Sequence, residues 1–132
     1  MHIDRDLKIL VVDDFSTMRK IVKDLLNELG FSQYDEADDG ETAWPMIQSG
    51  EYDFIVSDWN MPKMSGVELL KKVRAHPHLK NTPFLLITAE AKRSQIIEAA
   101  EAGVDAYIVK PFTAATLYEN IHQTLKKAAE RR

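Results

Sequence analysis

The chain has 132 residues, 45% of them hydrophobic and 29% charged, a composition that suits one ordinary globular domain and excludes a disordered polymer. Its 17 Lys+Arg against 21 Asp+Glu leave a net charge of −4, which disfavours binding to nucleic acid or to an anionic membrane. There is no cysteine, so disulfides, cysteine zinc sites, iron–sulfur clusters and thiol catalysis are all excluded.

No apolar run approaches the ~20 residues of a membrane span. The segment Met1–Lys8 alternates polar and apolar residues and has no signal-peptide core. Five glycines and five prolines are scattered as punctuation. A single cytoplasmic domain over residues 1–132 is expected.

In chain order, Lys8–Val12 (KILVV) is apolar after Lys8, as for a central parallel strand buried on both faces. Ser16 is expected to cap the next helix, in which Met18, Ile21, Val22, Leu25, Leu26 and Leu29 recur at i, i+3, i+4 spacing. Gly30 is placed to end it. Gln33–Ala37 reads as a polar edge strand. A second helix opens at Asp39 or Gly40 and runs to about Ser49, with Gly50 following. Pro45 lies inside it, lacks the N–H that would bond to the Glu41 carbonyl and crowds that carbonyl, at a cost of about 3 kcal/mol. A kink, bulge or shifted start is expected there.

Tyr52–Ser57 is a third strand and Gly66–Ala75 a third helix, with Val67, Leu70 and Val73 at helical spacing. Phe84–Ile87 is a fourth strand. Ser94–Ala102 is a fourth helix, stopped by Gly103. Ala106–Val109 is a fifth strand, and Thr113–Lys127 a last helix with Leu117, Ile121 and Leu125 facing inward. Strands alternating with helices predict a (βα)5 α/β fold. Right-handed crossovers make it an open parallel sheet with helices on both faces.

Ligands of such sheets bind at the carboxyl ends of the strands. Asp13 and Asp14 follow the first strand, Asp58, Trp59 and Asn60 the third, Thr88 the fourth, and Lys110-Pro111 the fifth. Each has an ordinary reading by itself: aspartates after strands cap helices or shape turns, and a lone lysine is a solvated charge. Together they bring three carboxylates, a hydroxyl and an ammonium to one edge. Clustered carboxylates repel one another and have raised pKa values unless a cation sits among them. Mg²⁺ suits such a site, because it takes few carboxylates and keeps several waters. A carboxylate left free can act as a nucleophile and form an aspartyl-phosphate. The four histidines, His2, His76, His78 and His122, stand apart from these ends and read as surface residues.

The stretches VVDDFSTMR (Val11–Arg19), SDWNMPKMSG (Ser57–Gly66), TAEAK (Thr88–Lys92) and YIVKPFTAATL (Tyr107–Leu117) resemble the response-regulator receiver family, over nearly the whole chain and closest to its single-domain chemotaxis members. The resemblance implies a flavodoxin-like three-layer fold with strand order 2-1-3-4-5. It implies that Asp58 accepts a phosphoryl group from a phosphohistidine on a sensor histidine kinase. Asp14, Asp58 and the Asn60 carbonyl would bind Mg²⁺ directly, with Asp13 acting largely through water. Lys110, on a cis Lys110–Pro111 bond, would pair with the phosphoryl group. Thr88 would bond it, and Tyr107 would swing inward behind Thr88. Asn60 and Glu90 would tune self-dephosphorylation.

By the same resemblance the protein is not an enzyme in the usual sense but a phosphoacceptor that assists its own phosphorylation and dephosphorylation. Its output would be binding of the flagellar motor switch protein, with a phosphatase as a further partner. No nucleic acid, membrane or second copy is expected. Ser65 stands where the family often has Asp, outside the site. A stand-alone phosphorelay receiver is the alternative output. A haloacid-dehalogenase-type enzyme would need a second acid at Phe15, and a receiver that has lost phosphate acceptance would not need its acids, threonine and lysine intact.

Overall fold

The structure is a computed structural model and describes residues 3–131. Five strands, β1 Ile9–Val12, β2 Tyr34–Ala37, β3 Phe54–Asp58, β4 Phe84–Thr88 and β5 Ala106–Val109, alternate with five helices, α1 Ser16–Glu28, α2 Gly40–Gly50, α3 Gly66–Ala75, α4 Arg93–Ala102 and α5 Ala114–Arg131. The strands form one parallel sheet in the order β2-β1-β3-β4-β5, as expected. Period-two alternation of the strands divides the core. Leu10, Val12, Ile55 and Leu86 pack with Leu70 and Val73 of α3 and Ala99 of α4 on one face. Ile9, Val11, Val56 and Leu85 pack with Val22 and Leu26 of α1 and Leu117 and Ile121 of α5 on the other. β1, β3 and β4 are buried throughout, whereas β2 exposes its middle residues and lies at the edge.

The helix starts follow side-chain chemistry, with one correction. Asp39 caps α2 by accepting the Thr42 N–H. Ser65 caps α3 in a reciprocal capping box with Glu68, which gives the serine a local role where the family often has an acid. Ser16, in contrast, is not the cap of α1. The cap position is Phe15, which makes no side-chain cap bond. The turn is organised earlier, because the Asp13 carboxylate accepts the Phe15 N–H at 2.9 Å.

The irregularity expected at Pro45 is absent as a break or a displaced start: α2 runs unbroken from its Asp39 cap through Pro45 to Gly50. Pro45 is exposed, so its ring meets solvent rather than the core. Gly50 ends the helix itself, and Glu51 takes the left-handed position after it. A Cβ at 50 would lie 2.4 Å from the Tyr52 ring, so a side chain there would displace that ring.

Candidate functional site

Because the strands are parallel, their carboxyl ends share one edge of the sheet, and β1, β3, β4 and β5 deliver their terminal residues there. Asp58 is the last residue of β3 and Thr88 the last of β4, one position further along each strand than the sequence placed the strand ends. Asp13 and Asp14 follow β1, and Lys110 follows β5. Carboxylate oxygens of Asp13, Asp14 and Asp58 lie within 4.8 Å of one another. The Lys110 Nζ sits 3.0 Å from Asp58 Oδ1 and 3.9 Å from Asp13 Oδ2. The Lys110–Pro111 bond is cis, as expected.

The electrostatics are unbalanced. Asp13 and Asp58 are 2% and 5% exposed, and one ammonium faces three acids. Burial raises the Asp13 pKa from 3.8 to about 6, against the pull of the Phe15 N–H, and Asp58 and Asp14 push it the same way. Asp58 is also raised, first by burial, with Lys110 opposing. The Asp14 Oδ1 is enclosed yet has no hydrogen-bond partner among the described residues. An orphaned carboxylate oxygen beside two buried acids fits a hard cation with oxygen ligands, so the residues present suit a divalent ion.

The surroundings hold this edge in place. The Asp13 N–H donates to the Ala37 carbonyl of β2 at 3.1 Å, and the Asp13 carbonyl accepts from Arg19 Nη1 at 2.7 Å. The loop after β3 returns through a Gly66 N–H to Trp59 carbonyl bond of 2.8 Å. A Cβ at residue 66 would lie 2.2 Å from the Asp58 carbonyl oxygen, so only glycine permits that approach. Trp59 is buried beside the site in the core.

The remaining expected residues are less tightly gathered. The Thr88 side chain is buried, but its hydroxyl donates to the Glu90 carbonyl at 2.8 Å rather than to a carboxylate. Asn60 and Glu90 are exposed, and Glu90 pairs with Lys92 at 3.3 Å. Tyr107, half-buried, packs against the core and lines a cleft of about 420 Å³ with Ile96, Ala100, Val104 and Asn120. Of the histidines, His2 lies outside the described residues and His78 is exposed. His76 is half-buried, edge-on to Trp44. His122 is also half-buried, with its Nε2 enclosed and without a hydrogen-bond partner among the described residues, so neither is a plain surface residue.

Sequence reasoning gave no role to Arg19, nor to a buried network at the amino ends of β4 and β5. There Asp105 accepts the Phe84 N–H at 2.9 Å and pairs with Arg74 at 3.0 Å and with Arg131. A charged residue immediately before an apolar strand was the only sequence signal for it. Among the described residues no helix is long and apolar enough to cross a membrane.

Comparison with known proteins agrees with this geometry. Residues 9–122 match the response regulator receiver domain. The chain is 61% identical to the chemotaxis protein CheY-3 of Vibrio cholerae over 125 residues, covering 95% of this chain and 96% of that protein. It is 60% identical to the chemotaxis protein CheY of Pseudomonas aeruginosa over 121 residues, covering 92% and 98%. Among solved structures, the chemotaxis protein CheY4 of Vibrio cholerae superposes with a TM-score of 0.84 at 34% identity, over 90% of this chain and 98% of that one. The chain belongs to the response regulator receiver family and is a phosphorylation-activated chemotaxis response regulator.

Proposed function

We propose that Asp58 is the phosphoacceptor of this receiver and that the α4–β5–α5 face carries the signal to a partner. The observation that supports this most directly is the convergence of three acids and one lysine at the carboxyl edge, with Asp58 buried, charge-frustrated and 3.0 Å from Lys110. The donor is a phosphohistidine of a sensor histidine kinase. An Asp58 carboxylate oxygen attacks phosphorus, the P–N bond breaks with its electron pair returning to the imidazole, and an acyl phosphate forms. Phosphoryl transfer asks for alignment and charge neutralisation more than covalent chemistry, which suits a domain that assists its own phosphorylation and dephosphorylation.

Asp14, Asp58 and the Asn60 carbonyl would hold Mg²⁺, with Asp13 acting through water. When bound, the ion supplies charge neutralisation for the acids and the phosphoryl oxygens. Lys110 keeps its ammonium on the acceptor and passes it to a phosphoryl oxygen. Asn60 and Glu90, two residues beyond Asp58 and Thr88, border the path of the water that removes the group. The protein acts as a cytoplasmic monomer of one domain, with a phosphatase as a further partner.

The switch starts at Thr88. To bond the phosphoryl group its hydroxyl leaves the Glu90 carbonyl, which it holds in the resting state. That movement opens space for the Tyr107 ring, and the cleft beside it changes shape. Ile97 of α4 and Val109 of β5 are 48% and 39% exposed, and apolar area on these two elements is offered to the flagellar motor switch protein. Coupling of this kind is about 1–3 kcal/mol, or roughly 5–150-fold in affinity.

The test is the affinity for the motor switch protein with and without beryllofluoride, a stable mimic of the phosphoryl group, in wild type and in Thr88→Ala. Wild type gains affinity with the mimic, and Thr88→Ala binds the mimic yet loses most of the gain. Full gain in the mutant would exclude Thr88 as the coupling element. No gain in wild type would exclude the partner.

A further inference from the structure

Asp14 contributes the orphaned oxygen of the site, yet it lies in a turn, where a carboxylate has many directions available. Its direction depends on the peptide unit before it, which joins Asp13 to Asp14. The N–H side of Asp13 is fixed by the sheet through Ala37, and its carboxylate is fixed by the Phe15 N–H. The remaining freedom is rotation of the Asp13–Asp14 peptide plane, and the Asp13 carbonyl oxygen reports that plane.

That oxygen accepts Arg19 Nη1 at 2.7 Å. The same guanidinium donates through Nε to Glu36 Oε1, also at 2.7 Å. Glu36 is in turn paired with Lys23, and these contacts hold its pKa below the ordinary carboxylate value, Lys23 first and Arg19 second. The Arg19 side chain is only 16% exposed. A planar guanidinium with both ends engaged has little freedom left, so its fork carries geometry as well as charge. It ties helix α1, strand β2 and the turn after β1 into one rigid unit.

We propose that Arg19 is a positioning residue for the cation site: by holding the Asp13 carbonyl and Glu36 together, it sets the Asp13–Asp14 peptide plane and so the direction in which Asp14 offers its carboxylate. This rests on the reading that Asp14 is a Mg²⁺ ligand. Arg19 bonds the Asp13 carbonyl and Glu36 rather than the carboxylates of Asp13, Asp14 or Asp58. A lysine does not replace it, because one ammonium lacks the fork that reaches both oxygens in a fixed plane.

The test is a Mg²⁺ titration of the full chain, followed by Trp59 fluorescence, in wild type, Arg19→Ala, Arg19→Lys, Glu36→Gln and Asp14→Ala. Metal-free thermal unfolding and the amide resonance of Asp14 are recorded alongside. Outer partners of metal ligands typically contribute about 10–100-fold in affinity. The expected result is a Kd raised about 10-fold in Arg19→Ala and not rescued by Arg19→Lys, with a smaller rise in Glu36→Gln. The Asp14 amide resonance shifts or broadens in metal-free Arg19→Ala. Should Arg19→Ala not fold, Arg19→Lys and Glu36→Gln give the decisive values. Wild-type affinity in the folded Arg19 variants, with Asp14→Ala defective, would overturn the positioning role alone. Equal Mg²⁺ affinity in wild type and Asp14→Ala would instead overturn the ligand reading beneath it.

Discussion

Both ends of the sheet bury carboxylates, and they treat them in opposite ways. At the carboxyl end Asp13, Asp14 and Asp58 share one ammonium, and an Asp14 oxygen has no partner among the described residues. At the amino end a single carboxylate, Asp105, 2% exposed, meets two guanidiniums and the Phe84 N–H. Arg74 spends its other donors on the carbonyls of Lys80, Thr82 and Gly103. Burial lowers the Arg74 pKa to about 10, with Arg131 adding to this and Asp105 opposing. An excess of acid leaves one end suited to a cation. An excess of base makes the other end a closed clamp joining α3, the α3–β4 loop, α4, β5 and the end of α5.

Removing the carboxylate should therefore have opposite signs at the two ends. Asp105→Ala strands two partly buried guanidiniums and the Phe84 N–H, and should destabilise the protein by about 3–5 kcal/mol, read as a lower urea midpoint. Asp13→Asn removes a repelled charge while keeping an acceptor for the Phe15 N–H. It should stabilise the metal-free protein at pH 8 by roughly 1–3 kcal/mol. Destabilisation by Asp13→Asn under those conditions would break the contrast.

The same imbalance sets a pH dependence. The Asp13 pKa is higher in the fold, about 6, than its ordinary 3.8, so the folded state binds the proton more tightly than the unfolded chain. Its contribution to stability is full below about pH 4 and is lost as pH rises through about 6. Unfolding of metal-free wild type across pH 4 to 8 should show this falling component, and Asp13→Asn should lack it. Millimolar Mg²⁺ at pH 7 should offset part of the loss. The smallest effect expected is on metal binding: Asp14→Ala should weaken Mg²⁺ by about 10-fold or more, about 1.4 kcal/mol, and Asp13→Asn by less. Equal losses in the two variants would merge their roles.

What the sequence made legible follows from which interactions are periodic. Central strands buried on both faces read as apolar runs, and amphipathic helices repeat with the helical period, so ten elements and the sheet edge carrying Asp13, Asp14, Asp58, Thr88 and Lys110 could be located. The cap of α1 could not, because the organising carboxylate, Asp13, stands two residues before Phe15 and belongs to the site. Charge pairs have no period. Asp105 meets partners 31 residues before it and 26 after it, and Arg19 meets Glu36 across 17. Only the folded chain brings those groups together.

The most direct test of the charge contrast between the two ends is the site of phosphorylation. Wild type, Asp58→Asn and Asp105→Asn are incubated with acetyl phosphate and Mg²⁺, and their intact masses and peptide maps are measured. The frustrated end should react: wild type and folded Asp105→Asn gain one phosphoryl group on Asp58, and Asp58→Asn gains none. Equal labelling of Asp58→Asn, or a phosphoryl group mapped to any other acid in wild type, would contradict the account.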